Sequence, residues 1–186
     1  MPGSTIDGER LETAVVVLVD APALDAVYRE AYPAMAELGI PLHVTLLYPF
    51  VPAGAVEAAL PRLRAVLARH ERFEFALTGL RTFPRVLWLA PEPAAPFRAL
   101  TEAIHAAFPE HPPYRGEFAE VVPHVTLAEV EEPALEGALA ELRPRVEPLL
   151  PLTLAADDAT VLAEHADGRW RVTARLPLRA TRTASR

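Results

Sequence analysis

The chain has 186 residues, a formal charge of −7 and no cysteine. Its length suits one domain with a sizeable core. The missing cysteine removes disulfides, thiolate catalysis and Cys-based zinc sites together, and the acidic balance argues against a protein that wraps long nucleic acid, which needs a basic surface. All 18 basic residues are arginine, so no mechanism can draw on a lysine amine. Hydrophobic residues make up 51% and charged residues 23%, the proportions of a globular chain. The first eleven residues lack the basic start and apolar core of a signal peptide, and apolar runs such as 14–19 are too short to span a bilayer. A soluble, cytoplasmic protein, acting as a monomer, is the expectation.

In chain order, the run TAVVVLV (13–19) reads as a buried strand. Asp20 is placed to cap a helix over about 22–38, with Pro22 in its first turn, Pro33 as a kink or break and Gly39 as its end. HVTLLY (43–48) is a short strand stopped by Pro49 and Pro52. A second helix is expected over 53–70, with Leu60, Leu63, Val66 and Leu67 on one face, and a strand over 73–77. RVLWLA (85–90) begins the second half as a strand, followed by a helix over 96–108 with Phe97, Leu100, Ile104 and Phe108 as its stripe. A proline-rich loop, 109–123, leads to the strand HVTLA (124–128) and a short helix over 135–142. Final strands are expected near 149–155, 159–164 and 170–178, the last two flanking the turn signal Asp167-Gly168.

Strand, helix and HVTL strand thus occur twice in the same order. Val15 precedes His43 by 28 positions and Val86 precedes His124 by 38, the excess falling mostly in the loop before His124. Two similar halves predict a pseudo-twofold α+β domain over 13–178, with tails at 1–12 and 179–186.

The repeated tetrapeptide carries the chemistry. His43-Val44-Thr45-Leu46 recurs as His124-Val125-Thr126-Leu127, 81 positions later, and each copy follows a proline closely (Pro41, Pro123). Along a strand, residues i and i+2 face the same way. His43 and Thr45 therefore share one face and Val44 and Leu46 the other; the second copy behaves alike. Imidazole titrates near neutrality, so one neutral histidine can take a proton while a protonated partner gives one. Threonine hydroxyls can hold phosphoryl oxygens. Two such pairs across a groove would bracket one phosphate without a metal or a covalent nucleophile. A single His-x-Thr means little on its own. A repeat centred on a rare residue, in matching places of two similar halves, is hard to obtain by chance.

HVTLLYPF (43–50) and PHVTLA (123–128) resemble the paired H-x-T/S-x motifs of the two-histidine (2H) phosphoesterase superfamily, in its 2′-5′ RNA ligase-like and cyclic phosphodiesterase branch. The resemblance spans about 13–178. It implies a bilobal fold of two antiparallel sheets around a central groove with helices outside. It implies His43 and His124 as catalytic residues and Thr45 and Thr126 as phosphate-binding residues, with no metal and no cofactor. The implied substrate class is a 2′,3′-cyclic phosphate or a 2′-5′-linked nucleotide or RNA end. A non-catalytic module that binds nucleotides or RNA ends in the same fold is the alternative. A metal site built on the two histidines ranks last, because no carboxylate or cysteine stands at useful spacing.

Outside the motifs, Arg81 and Arg85 flank Phe83-Pro84 at a strand end, and Arg85 and Phe83 are candidates for substrate contact, set against an ordinary solvated strand end. Tyr114, in the long loop before the second motif, can stack on a base or simply anchor the loop. Trp88 and Tyr48 read as packing, Tyr48 because regular alternation points it away from the His43 face. His70, His105, His111 and His165 read as ordinary surface residues.

Overall fold

The structure, a computed structural model, describes residues 11–118 and 120–180. Its elements follow the expected order. They are β1 (Thr13–Leu18), α1 (Pro22–Ala31), α2 (Pro33–Glu37), β2 (His43–Leu47), α3 (Val56–Leu67), β3 (Phe73–Phe83), β4 (Val86–Glu92), α4 (Ala95–Ala107), β5 (Val125–Glu129), α5 (Leu135–Val146), β6 (Leu152–Ala156), β7 (Asp158–Glu164) and β8 (Trp170–Pro177). The expected tails lie for the most part outside the described residues.

The differences from expectation have local causes. Pro33 divides the first helix into α1 and α2 because it cannot donate to the carbonyl one turn back. Asp20 does not cap: the N-cap is Ala21, with no side-chain hydrogen bond, and Pro22 opens the helix instead. The strand expected over 73–77 runs on to Phe83, because Thr78-Gly79 marks a register shift between Leu77 and Leu80 rather than an end. Helix α5 continues to Val146.

The strands join in the order β6-β3-β4-β5-β2-β1-β7-β8, antiparallel throughout. The two expected sheets are therefore two four-stranded lobes, β5-β4-β3-β6 and β2-β1-β7-β8, that meet at β2 and β5. The chain does not divide between them where the repeat restarts at β4: β3 already belongs to the lobe of β4, and β7 and β8 return to that of β1. The register Phe75↔Leu154 sets alternate apolar residues against the core, while Val15↔Val161 joins two strands buried on both faces. One core cluster runs from Val15 to Leu178 and takes in both lobes and the helices. At its centre Phe97 of α4 meets Phe73 and Phe75 edge-on, each with ring centroids 5.0 Å apart. β1 is buried along both faces, and on the second face Ala14, Val16 and Leu162 form a smaller cluster against Tyr48 and Trp170.

The seam is narrow. Its one register pair is Val44↔Val125, and both valines are fully buried. An approximate twofold axis between them relates the two HVTL segments.

Candidate active site

Counting outward from Val44↔Val125 in an antiparallel pair sets His43 across from Thr126, and Thr45 across from His124. The histidines then occupy a diagonal, about 7–8 Å apart at the backbone in regular geometry. Burial follows the alternation: Val44, Leu46, Val125 and Leu127 are buried, while His43, Thr45, His124 and Thr126 are half-buried. All four polar residues line one groove of about 470 Å³. Thus each lobe supplies one histidine and one threonine to a common site.

Each imidazole is held in the same way. Nδ1 of His43 lies 2.7 Å from the Pro41 carbonyl oxygen, and Nδ1 of His124 lies 2.7 Å from that of Val122. A carbonyl only accepts, so Nδ1 carries the proton in both rings and Nε2 is left for the groove. The carbonyl is two residues back in each case, a local device that the repeat supplies twice. Burial lowers the pKa of both histidines, with the backbone carbonyls pulling the other way. For His43 the neighbouring His124 adds a further, smaller depression. One proton on the pair thus discourages a second.

The surroundings of the two rings differ. Phe83 and Trp88 stack with centroids 4.4 Å apart, and both present edge-on geometry to His124, at 5.4 and 6.0 Å. Trp88 is buried, as expected, but here rather than in the main core cluster. Tyr114 stands at the Thr45 side. Burial raises its pKa, and the neighbouring Thr45 hydroxyl opposes that rise. Tyr114 and Arg115 have positive φ, 49° and 56°, in a short 3-10 turn over Pro113–Gly116. Bulky residues rarely adopt this backbone, so the surroundings must hold it there. The Tyr114 amide donates to the Tyr48 carbonyl at 2.6 Å, and the two rings lie 6.4 Å apart.

Tyr48 packs, as expected, but against the Ala14, Val16 and Leu162 cluster on the groove side rather than away from it. β2 ends at Leu47, alternation stops there, and the turned chain delivers the Tyr48 ring to the groove. Its hydroxyl donates to Glu12, and burial pushes its pKa up to about 12. Trp170 lies 6.4 Å from Tyr48. Glu12, Glu129, Glu164, Tyr28 and Tyr32 also line the groove, with Tyr32 donating to Glu129 at 2.8 Å. Sequence reasoning passed over these residues because each comes from a separate element. The one available clue was the Asp167-Gly168 turn, which folds Glu164 against Trp170.

Arg85 is not brought to the groove. It sits at the β3–β4 turn with φ 68° and pairs with Glu131 at 2.7 Å. Arg81 pairs with Glu92 at 3.2 Å and lies 5.7 Å from the Trp88 ring. His70, His105, His111 and His165 stay outside the groove. Among the described residues no group of three or more His, Asp or Glu is placed to hold a metal ion, and no helix is long and apolar enough to cross a membrane.

Comparison with known proteins places this geometry. A search of curated proteins found no match. Among solved structures, LigT of E. coli complexed with 3′-AMP superposes with a TM-score of 0.58 at 19% identity, covering 92% of this chain and 99% of LigT. TT0787 of Thermus thermophilus superposes with a TM-score of 0.56 at 20% identity, covering 91% and 98%. These likenesses establish the fold. The family model described as the 2′-5′ RNA ligase superfamily matches residues 19–168, most of the chain and both histidine motifs, and the protein therefore belongs to the 2′-5′ RNA ligase superfamily.

Proposed function

We propose that this chain is a metal-independent phosphodiesterase that acts on 2′,3′-cyclic phosphates or 2′-5′-linked nucleotide or RNA ends. Membership of the superfamily supports a phosphoesterase-type activity in general. The observation that carries the finer reading is the diagonal of two half-buried histidines, each with Nδ1 tied to a backbone carbonyl, interleaved with two threonines in one groove. LigT has been crystallised with 3′-AMP, NADP+ and ATP, which favours a nucleotide here as well.

In the proposed hydrolysis, a cyclic phosphate sits between the rings. Nε2 of the neutral histidine takes a proton from water as the water oxygen bonds to phosphorus. The bond from phosphorus to the 2′- or 3′-oxygen breaks, and the protonated histidine gives that oxygen its proton. One water is consumed, and the pair ends with its proton on the opposite ring. Thr45 and Thr126 hold the non-bridging oxygens as charge develops. The twofold relation lets the roles exchange for the reverse reaction. Tyr114, beside Tyr48 and Trp170, offers a ring face to a base. Phe83 acts through His124, whose ring it packs against. Arg85 is assigned no part.

The test is turnover of a panel of nucleoside 2′,3′-cyclic phosphates and 2′-5′ dinucleotides in the presence of EDTA. We expect activity unaffected by the chelator and nearly abolished in His43→Ala and in His124→Ala, with both variants folded. Near-normal turnover by both variants would refute the assignment. Binding without turnover by the wild type would make the protein a nucleotide-binding module.

A further inference from the structure

We infer that the groove selects a phosphodiester with a single negative charge, namely a nucleoside 2′,3′-cyclic phosphate with a free 5′-hydroxyl, and rejects substrates that carry a second phosphate. This inference rests on the phosphodiesterase reading and narrows its substrate class.

The argument comes from the charges that face the site. Among the described residues, no arginine lines the groove, and lysine is absent from the whole chain. Three carboxylates line it instead: Glu12, whose charge Arg115 offsets, and Glu129 and Glu164. They come from both lobes. Glu12 precedes β1 and Glu164 ends β7 in one lobe, while Glu129 ends β5 in the other. A nucleotide can lie along the groove in either direction, and in both its far end meets a carboxylate.

Arg115, which follows the groove residue Tyr114, is ion-paired with Glu12. Arg81 and Arg85 are held by Glu92 and Glu131. Positive charge for a bound phosphate therefore comes from the histidine pair. The pair carries one proton in its working state, because the first protonated ring discourages the second. One imidazolium matches one phosphodiester anion. A 5′-phosphate adds up to two further negative charges, which find carboxylates and no arginine among the described residues that line the groove. By contrast, Tyr48, Tyr114 and Trp170 offer uncharged ring faces to a base and sugar.

The experiment compares kcat/KM for one nucleoside 2′,3′-cyclic phosphate with and without a 5′-phosphate, at two salt concentrations. The wild type should turn over the 5′-phosphorylated substrate about tenfold less efficiently at low salt, and the preference should shrink as salt screens the repulsion. Glu164→Gln and Glu129→Gln, which keep shape and remove charge, should each be measured. At least one should bring the two substrates closer together, because its effect depends on substrate charge. A preference for the 5′-phosphorylated substrate, or none, would overturn the inference while leaving the phosphodiesterase reading intact. So would a preference that neither salt nor the glutamine variants change, since that would be steric. If neither substrate turns over, it is the phosphodiesterase reading itself that fails.

Discussion

Thr45 and Thr126 are related by the twofold axis, yet the structure predicts that removing them has unequal consequences. Replacing either by valine keeps the volume and the β-branch and deletes one hydroxyl. Each loss removes a hydrogen bond to a phosphoryl oxygen, worth about 1–1.5 kcal/mol of transition-state stabilisation, or about 5- to 12-fold in kcat/KM. Thr45 does more. Its hydroxyl also stands beside the Tyr114 phenol and opposes the effect of burial on it, and Tyr114 is held in the groove on a left-handed backbone. Thr45→Val removes that polar neighbour, adding about 1–2 kcal/mol, for a total of about 2–3.5 kcal/mol and a loss of about 30- to 370-fold. Tyr114→Phe removes the phenol in advance. In that background Thr45→Val should cost no more than Thr126→Val. The assay is steady-state hydrolysis of a nucleoside 2′,3′-cyclic phosphate by Thr45→Val, Thr126→Val, Tyr114→Phe and both double variants, arranged as two double-mutant cycles. Tyr114 should couple to Thr45 by about 1 kcal/mol or more and to Thr126 by much less. Equal losses at the two threonines, with both cycles additive, would refute the reasoning.

Two further outcomes follow from the same geometry. Because burial lowers both histidine pKa values, the bell-shaped profile of kcat/KM should centre below the ordinary imidazole value of about 6.5. The profile of kcat should centre higher, because a bound phosphodiester anion favours protonated imidazole; a kcat/KM maximum well above pH 7 would contradict this. Gly39, at φ 78°, lies so close to β8 that an added Cβ would stand 2.9 Å from the Trp170 carbonyl oxygen. Gly39→Ala should cost about 1–3 kcal/mol, lowering Tm by roughly 3–10 °C, and should raise KM through the displaced Trp170; unchanged thermal unfolding would count against the packing.

Much of this protein was legible in its sequence because the informative patterns are local. Alternation along HVTL assigns His43 with Thr45, and His124 with Thr126, to one face, and the structure keeps that assignment because Val44, Leu46, Val125 and Leu127 must be buried. The order of strands and helices followed from the same short-range periodicities. Local reasoning failed where regular backbone stopped. Tyr48 lies one residue past the end of β2, so alternation mispointed it. Asp20 had the residue type of a cap but not the position. The strand expected over 73–77 continues through a register shift at Thr78-Gly79.

The pairing of β2 with β5 was beyond sequence alone. A repeat shows that two strands are alike, not that they are neighbours, and nothing in either motif names Val44 and Val125 as partners. That choice follows from how four-stranded lobes close over a shared core, with β3 joining the lobe of β4, and β7 and β8 that of β1, to complete them. The sign of the groove has the same origin. Glu12, Glu129 and Glu164 are scattered over the sequence among 25 acidic residues. Only the folded sheet, which brings three strand ends to one opening, makes those three carboxylates the ones a substrate meets.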